Sequence, residues 1–251
     1  MHKLYSENIC MHLDSVRIVL VSTTHPGNIG SVARAMKTMG LSRLYLVNPN
    51  LNPYRKVHEL AAGAFDILRS AIICTSLPEA LDGCHVVCGT SARPRDLALS
   101  GFTPATCADF VAQQPSDMEI AIVFGREHAG LTNDELLLCH YHVHIPSNPE
   151  FSSLNLAQAV QIIAYELRMR QLSPPAHVDT QTRTYATSAE MELFYAHLEQ
   201  VLIEIDFLKP SNPRKLLQRL RRLFNRARVE TNEMHILRGI LSKVQERRHA
   251  N

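Results

Sequence analysis

The chain has 251 residues, 45% of them apolar, and its 26 lysines and arginines against 24 aspartates and glutamates leave a formal net charge of +2. That length suits one α/β domain with a smaller appendage, and no apolar run approaches the roughly 18 residues that cross a bilayer. Lys3, Glu7, His12 and Asp14 interrupt any signal-peptide core, so a cytoplasmic chain with no membrane partner is expected.

In chain order, short apolar runs predict strands at Val16–Ser22, Leu44–Asn48, Ala71–Thr75, His85–Thr90, Glu119–Phe124 and Tyr141–Ile145. Between them, helical patterns fall near Ile29–Met39, Lys56–Ile67, Pro78–Leu81, Thr106–Gln113 and Asn133–Leu138, with a longer helix from about Leu154 to Leu172. This alternation predicts an α/β fold with a mostly parallel sheet and helices on both faces. Ser173-Pro174-Pro175 ends the last helix, and a polar linker runs to about Ser188. Three further helices, Ala189–Asp206, Pro213–Arg226 and Thr231–Arg247, form a small C-terminal unit. The domains so read are 1–172, a linker 173–188 and 189–251.

Six cysteines (Cys10, Cys74, Cys84, Cys88, Cys107, Cys139) contain no C-x-x-C pair and read as reduced thiols rather than metal ligands. From Arg214 to Arg228 the charged residues are all basic: Arg214, Lys215, Arg219, Arg221, Arg222, Arg226 and Arg228. Such a field suits a polyanion, although a solvated helix face has the same composition.

Four loops that follow strands hold more than connectors need, and in open α/β sheets ligands bind beyond the carboxyl ends of strands. The first, Gly27-Asn28-Ile29-Gly30, opens a helix that carries Ser31, Arg34 and Thr38; its G-x-x-G spacing is not the dinucleotide fingerprint. The second is Gly89-Thr90-Ser91-Ala92-Arg93, small residues that allow close backbone approach. The third is Phe124-Gly125-Arg126-Glu127-His128-Ala129-Gly130-Leu131-Thr132-Asn133, in which Thr132 or Asn133 reads as a helix cap. Arg126–Glu127 reads as a surface pair, or Arg126 orients the loop or contacts a substrate phosphate. The fourth runs from Ile145 through Ser152, Ser153, Leu154 and Asn155, and its serines read as lying where a helix start presents free N–H groups.

Alternation of His140, His142 and His144 on one strand face permits a zinc reading, but no cysteine or carboxylate is in register and no metal is assigned. No G-x-S-x-G, H-E-x-x-H or P-loop occurs, and Asn48-Pro49 stands where a dehydrogenase would place its ribose-binding acid. A nucleotide-dependent oxidoreductase on an ordinary doubly wound sheet is one reading, and a non-catalytic RNA-binding module, suited by the basic 214–228 run, is another.

The motifs GNIGSVARAMKTMG (27–40), GTSAR (89–93), FGREHAGLTN (124–133) and NPEFSSLNLAQAV (148–160) occur in the order seen in SPOUT-class RNA methyltransferases. The chain most closely resembles the TrmJ family of tRNA 2′-O-methyltransferases over about Val16–Arg170. RRLFNRAR (221–228) and LRGIL (237–241) are similar to the family's helical tail. The resemblance implies a deep trefoil knot at the C-terminal part of the sheet, a homodimer with sites at its interface, and S-adenosylmethionine as cofactor. It maps cofactor contacts onto Thr90, Ser91, Ala92, Gly125, Ile145, Ser152, Ser153 and Leu154, and the catalytic arginine onto Arg34, with Ser153 and Asn28 as helpers. It implies tRNA as partner, held by Arg126 and by Arg214, Lys215, Arg219, Arg221, Arg222 and Arg226. The expected target is C or U at position 32 of the anticodon loop, with an RNA base methyltransferase of the same knotted class as the alternative. Phe151 stands where related chains often carry tyrosine.

Overall fold

The computed structural model describes residues 13–52, 54–92, 100–173, 184–209 and 214–249. A 3-10 turn at Leu13–Ser15 leads into β1 (Val16–Val21), every residue of which is buried. α1 (Pro26–Met39) follows, with proline in its first turn, where no intrahelical N–H is lost. Gly40 ends it in the left-handed region at φ 80°. Next come β2 (Arg43–Val47), α2 (Tyr54–Ala61), α3 (Phe65–Ser70), β3 (Ile72–Cys74), α4 (Leu77–Ala80), β4 (Val86–Thr90) and β5 (Ser100–Phe102). After these stand α5 (Pro104–Ala112), β6 (Ile120–Phe124), α6 (Asn133–Leu137), β7 (Tyr141–Val143) and α7 (Leu156–Leu172). The C-terminal unit is α8 (Ser188–Glu204), α9 (Arg214–Ala227) and α10 (Thr231–His249).

The strands form one seven-stranded sheet in the order β3-β2-β1-β6-β4-β7-β5, and every pairing is parallel. Strand residues alternate between two cores because successive side chains point to opposite faces. Val16, Ile18 and Leu20 pack with α1, α2, α3, α5 and α7, whereas Val19 and Val21 pack with α4 and α6. Both faces are covered, which explains why the strands read as continuous apolar runs.

Two expectations need correction. The single helix predicted over Lys56–Ile67 is two, α2 and α3, because Ala62 (φ 43°) and Gly63 (φ 91°) turn left-handed between them. The short strand β5 was not predicted: it is three residues long, with glycine at its centre, and pairs only with β7 along the sheet edge. Most of the expected linker, 174–183, lies outside the described residues, as do Arg93 and Cys10. Its last part belongs to the helical unit, since Tyr185 bridges Glu230 and the Ala186 N–H donates to the Val229 carbonyl (2.9 Å).

α8, α9 and α10 bury a core of their own around Phe194, Tyr195 and Leu198. The unit docks at the amino ends of β4, β6 and β7. The Ser188 N–H donates to the Cys84 carbonyl at 2.7 Å, Asn225 Nδ2 to the Cys139 carbonyl at 3.4 Å, and Arg228 to Gln114 Oε1 at 2.9 Å. Arg228, itself left-handed at φ 51°, lays its guanidinium over the rings of Tyr185 (4.1 Å) and Phe110 (5.2 Å). Cys74, Cys84, Cys88, Cys107 and Cys139 are buried free thiols.

Candidate active site

At the opposite, carboxyl end of the sheet, three loops close around one cavity of about 370 Å³. β4 delivers Thr90, Ser91 and Ala92 to it. Thr90 Oγ1 donates to the Val123 carbonyl (3.0 Å), and the Ser91 N–H to the Val143 carbonyl (3.1 Å), so this strand end is tied to both neighbours.

β6 delivers Gly125 to Gly130. Arg126 and Gly130 exchange backbone hydrogen bonds (3.2 and 2.8 Å), closing a small loop with residues 127–129 at its tip. A Cβ on Gly125 would stand 2.1 Å from the Gly130 carbonyl carbon, so only glycine fits there. Thr132 caps α6 and exchanges bonds with Glu135 in a capping box. Glu135 also accepts both guanidinium N–H groups of Arg126 (3.0 Å each), whose Nη2 donates in addition to Ser22 Oγ (3.3 Å). Arg126 lines the cavity as an internal brace rather than as a free cation. It is not paired with Glu127, and the brace suits a residue that orients the loop.

Glu127 is the hub that sequence reasoning missed. Its Oε2 accepts from the Thr24 N–H (3.1 Å) and Thr24 Oγ1 (2.8 Å), and its Oε1 from the His25 N–H (3.0 Å) and Asn28 Nδ2 (2.8 Å). Burial alone would raise its pKa, but the donors from Asn28, Thr24 and His25 outweigh that and hold the carboxyl at about 2. Asn28 Oδ1 in turn accepts from Asn155 Nδ2 (3.0 Å), and Asn155 Oδ1 caps α7 through the Ala157 N–H (2.9 Å). The chain Glu127–Asn28–Asn155 thus locks the β6 loop, the start of α1 and the start of α7 together. The only sequence signal for it was a charged tripeptide bracketed by glycines.

β7 leads into the third wall. α7 begins only at Leu156, so Ser152 and Ser153 precede its cap and are not at its free N–H groups as expected. Both line the cavity, with Ile145 and Leu154; the Ser152 carbonyl accepts from Ser147 Oγ (3.2 Å). All eight expected cofactor residues, Thr90, Ser91, Ala92, Gly125, Ile145, Ser152, Ser153 and Leu154, therefore face one space. Of the three expected catalytic residues, Ser153 lines it and Asn28 is bonded to its rim through Glu127. Arg34 does not line it: it stands exposed on α1, one and a half turns beyond Asn28.

His140 and His144, which flank β7, are engaged separately. His140 precedes β7 and accepts from the Val87 N–H on Nδ1 (3.1 Å), and His144 Nδ1 lies 3.3 Å from the Ser91 carbonyl. Among the described residues no cluster of three or more His, Cys, Asp or Glu is arranged to hold a metal ion.

On α9, Lys215, Arg219 and Arg226 are exposed and Arg222 is half-buried. Arg221 pairs with both oxygens of Glu192 and lies 4.3 Å over the Tyr195 ring, so it braces the helical unit. Arg214 lies in the helix.

Residues 15–165 match the model of the SpoU rRNA methylase family, and residues 189–251 match the C-terminal domain of tRNA methyltransferase TrmJ. The tRNA (cytidine/uridine-2′-O-)-methyltransferase TrmJ of Pectobacterium atrosepticum is 53% identical over 239 residues, covering 93% of this chain and 98% of the relative. A crystal structure of TrmJ from Zymomonas mobilis superposes with a TM-score of 0.80 at 32% identity, covering 92% of this chain and 98% of the other. The structure of a probable methylase family protein from Haemophilus influenzae is 45% identical over 94% of this chain and 98% of its own, with a TM-score of 0.63.

Proposed function

The chain belongs to the SpoU rRNA methylase family and ends in a TrmJ C-terminal domain; it is, we propose, an S-adenosylmethionine-dependent tRNA cytidine/uridine 2′-O-methyltransferase acting at position 32 of the anticodon loop. The observation that carries this reading is the convergence of Thr90, Gly125, Ser152 and Ser153 on one cavity at the carboxyl ends of the strands.

The cavity fits the cofactor. Its volume is that of a small-molecule site. Phe124, Val143, Ile145 and Leu156 offer an apolar wall for a purine, while hydroxyl and backbone groups of Thr90, Ser91, Ser152 and Ser153 offer polar partners. Among the described lining residues the one guanidinium, Arg126, is paired with Glu135 rather than left free to face a sulfonium. When bound, the cofactor supplies a methyl group already activated as an electrophile. The protein's task is then alignment and proton handling. Arg34 cannot act as base because guanidinium stays protonated; it grips a substrate phosphate and orients the 2′-hydroxyl. Ser153 positions cofactor or ribose, and Asn28 fixes the start of the helix that carries Arg34.

An arginine that stays outside its own chain's cavity is supplied to the site of a second copy. This supports a homodimer, and α7 offers a surface for it: Tyr165, Met169 and Leu172 form an exposed stripe, 48%, 41% and 61% accessible. The expected knot is supported by the strand order, since β7 lies between β4 and β5, which are consecutive in sequence. We take 1–172 as the methyltransferase unit, the expected linker as ending before Thr184, and the helical unit from there as a tRNA-binding extension, using Lys215, Arg219, Arg222 and Arg226, with Arg214 beside them in α9. A tRNA substrate places the reaction in the cytoplasm, and no described helix is long and apolar enough to cross a membrane.

Mixing inactive variants tests the shared site. Arg34→Ala and Ser153→Ala chains should each fail to transfer labelled methyl to tRNA while folding normally. After subunit exchange the mixture should regain about a quarter of wild-type activity, the share expected when one site in each mixed two-fold dimer is intact. A mixture as inactive as its components would place Arg34 and Ser153 in the same chain's site.

A further inference from the structure

The helical unit closes a core of its own and shares no buried residue with the two sheet cores. Its own stability therefore leaves its placement on the sheet open, and contacts across the seam must settle it. At the start of α8 the Ser188 N–H donates to the Cys84 carbonyl (2.7 Å), at the entry to β4. On α9 the buried Asn225 accepts the Tyr195 hydroxyl on Oδ1 (2.6 Å), which turns its Nδ2 toward the Cys139 carbonyl (3.4 Å) at the entry to β7. Beyond α9, Arg228 reaches the connection between α5 and β6, where it donates to Gln114 Oε1 (2.9 Å) and lies over the Phe110 ring.

Cys84 and Cys139 stand at strand ends in the sheet, whereas α5 packs on one face of it. The three anchors do not share a line, so they fix both position and tilt. Arg228 holds its place with a left-handed backbone (φ 51°), a costly conformation for a residue with a Cβ that persists only where the surroundings over-determine it. The space left in the seam is about 20 Å³, no more than a water's worth.

The exposed cations of α9, Lys215, Arg219 and Arg226, are thus held at a set distance from the cavity at the far ends of the same strands. Phosphate contacts fix the register of a protein on a duplex without reading its sequence. Methyl transfer tolerates little misplacement, since an error of about 1 Å costs about 100-fold. A phosphate-gripping helix at a fixed distance from a transfer site therefore measures along the nucleic acid.

We propose that the docked helical unit is a gauge that selects the ribose to be methylated: α9 grips phosphates of the anticodon stem, and the seam sets how far from that grip the target must lie. Arg228 is a positioning residue in this scheme, acting through α9. The spacing depends on docking whether the stem meets the helical unit of the same chain or of a second copy. The inference rests on the tRNA methyltransferase reading above and adds what determines its specificity.

Altered substrates and one variant of the full-length protein test it. Single-turnover methyl transfer is compared on a native tRNA, one with a base pair added to the anticodon stem and one with a pair removed, all with the same loop. Wild-type protein should methylate the original loop nucleotide at least about 10-fold more slowly in both altered tRNAs. In the shortened one, any remaining methyl group should lie one nucleotide further into the loop. Arg228→Gly suits the left-handed backbone and deletes the guanidinium. It should speed amide exchange at Ser188 and bring the three rates toward parity, whereas a merely structural defect would slow all three alike. Altered tRNAs methylated by wild-type protein at the original nucleotide and near the native rate would overturn the gauge. So would a preference that survives in Arg228→Gly although its Ser188 amide exchanges faster. Native tRNA left unmethylated on ribose would instead sink the underlying reading.

Discussion

Glu127 shows how much of this site rests on a single side chain. Four donors converge on its carboxylate from a segment about a hundred positions away in sequence. Hydrogen bonds to a charged group contribute about 1.5–3 kcal/mol where desolvated, and this group is half-buried. Glu127→Gln keeps the shape but leaves one oxygen to do the work of two. We expect it to cost about 2 kcal/mol, or a Tm lower by about 4–8 °C for a chain of this size, together with slower methyl transfer. The sign with pH follows from a folded-state pKa of about 2 against an ordinary 4.5. The ionised group's contribution is complete above pH 4.5 and fades as pH falls toward 2. Melting curves of wild type and variant should therefore differ fully at neutral pH and converge in acid; a gap that stays constant down to pH 2 would show that the charge is not what matters. The sequence could not reveal this hub. The loop was legible from its glycines, but Glu127's partners were not, because only the sheet order, with β1 beside β6, brings 24–28 next to 127.

At the scale of elements, the strands were legible because a parallel sheet covered on both faces needs uninterrupted apolar runs. The break between α2 and α3 was less so, since Ala62 gives no sign of its left-handed backbone. The docking of the helical unit was not legible at all. Basic residues in and just after α9 looked alike in sequence, yet Arg221 is spent on Glu192 and Tyr195, and Arg228 on Tyr185, Phe110 and Gln114. His140 lies in that seam, lined also by Phe224, Asn225 and Val229. Burial, with the Arg228 charge nearby, lowers its pKa to about 4 from 6.5. The unfolded chain therefore binds a proton that the folded one refuses between those values, and stability should fall as pH drops from 6.5 toward 4. His140→Asn offers the Val87 N–H an acceptor without a titrating group. Thermal unfolding from pH 7 to 5 should decline less steeply for the variant than for wild type; equal slopes would mean that the seam does not sense His140.

Across the whole molecule, function is divided between the two ends of the sheet. The cavity opens at the carboxyl ends of β4, β6 and β7, and the helical unit docks at their amino ends, roughly 17 Å away for a five-residue strand. A ligand that engages both the cavity and α9 must be large and polyanionic, which tRNA is and a free nucleotide is not. On the proposed reading, phosphate contacts of Lys215, Arg219 and Arg226 would set affinity and its salt dependence, and the loops around Ser153 and Gly125 the chemistry. The most direct test of this account is mass spectrometry of the nucleosides from tRNA incubated with the full-length protein and S-adenosylmethionine. It should find 2′-O-methylcytidine or 2′-O-methyluridine, located at position 32 on digestion into fragments. A methyl group found on a base, or no methylated nucleoside above the untreated control, would contradict it.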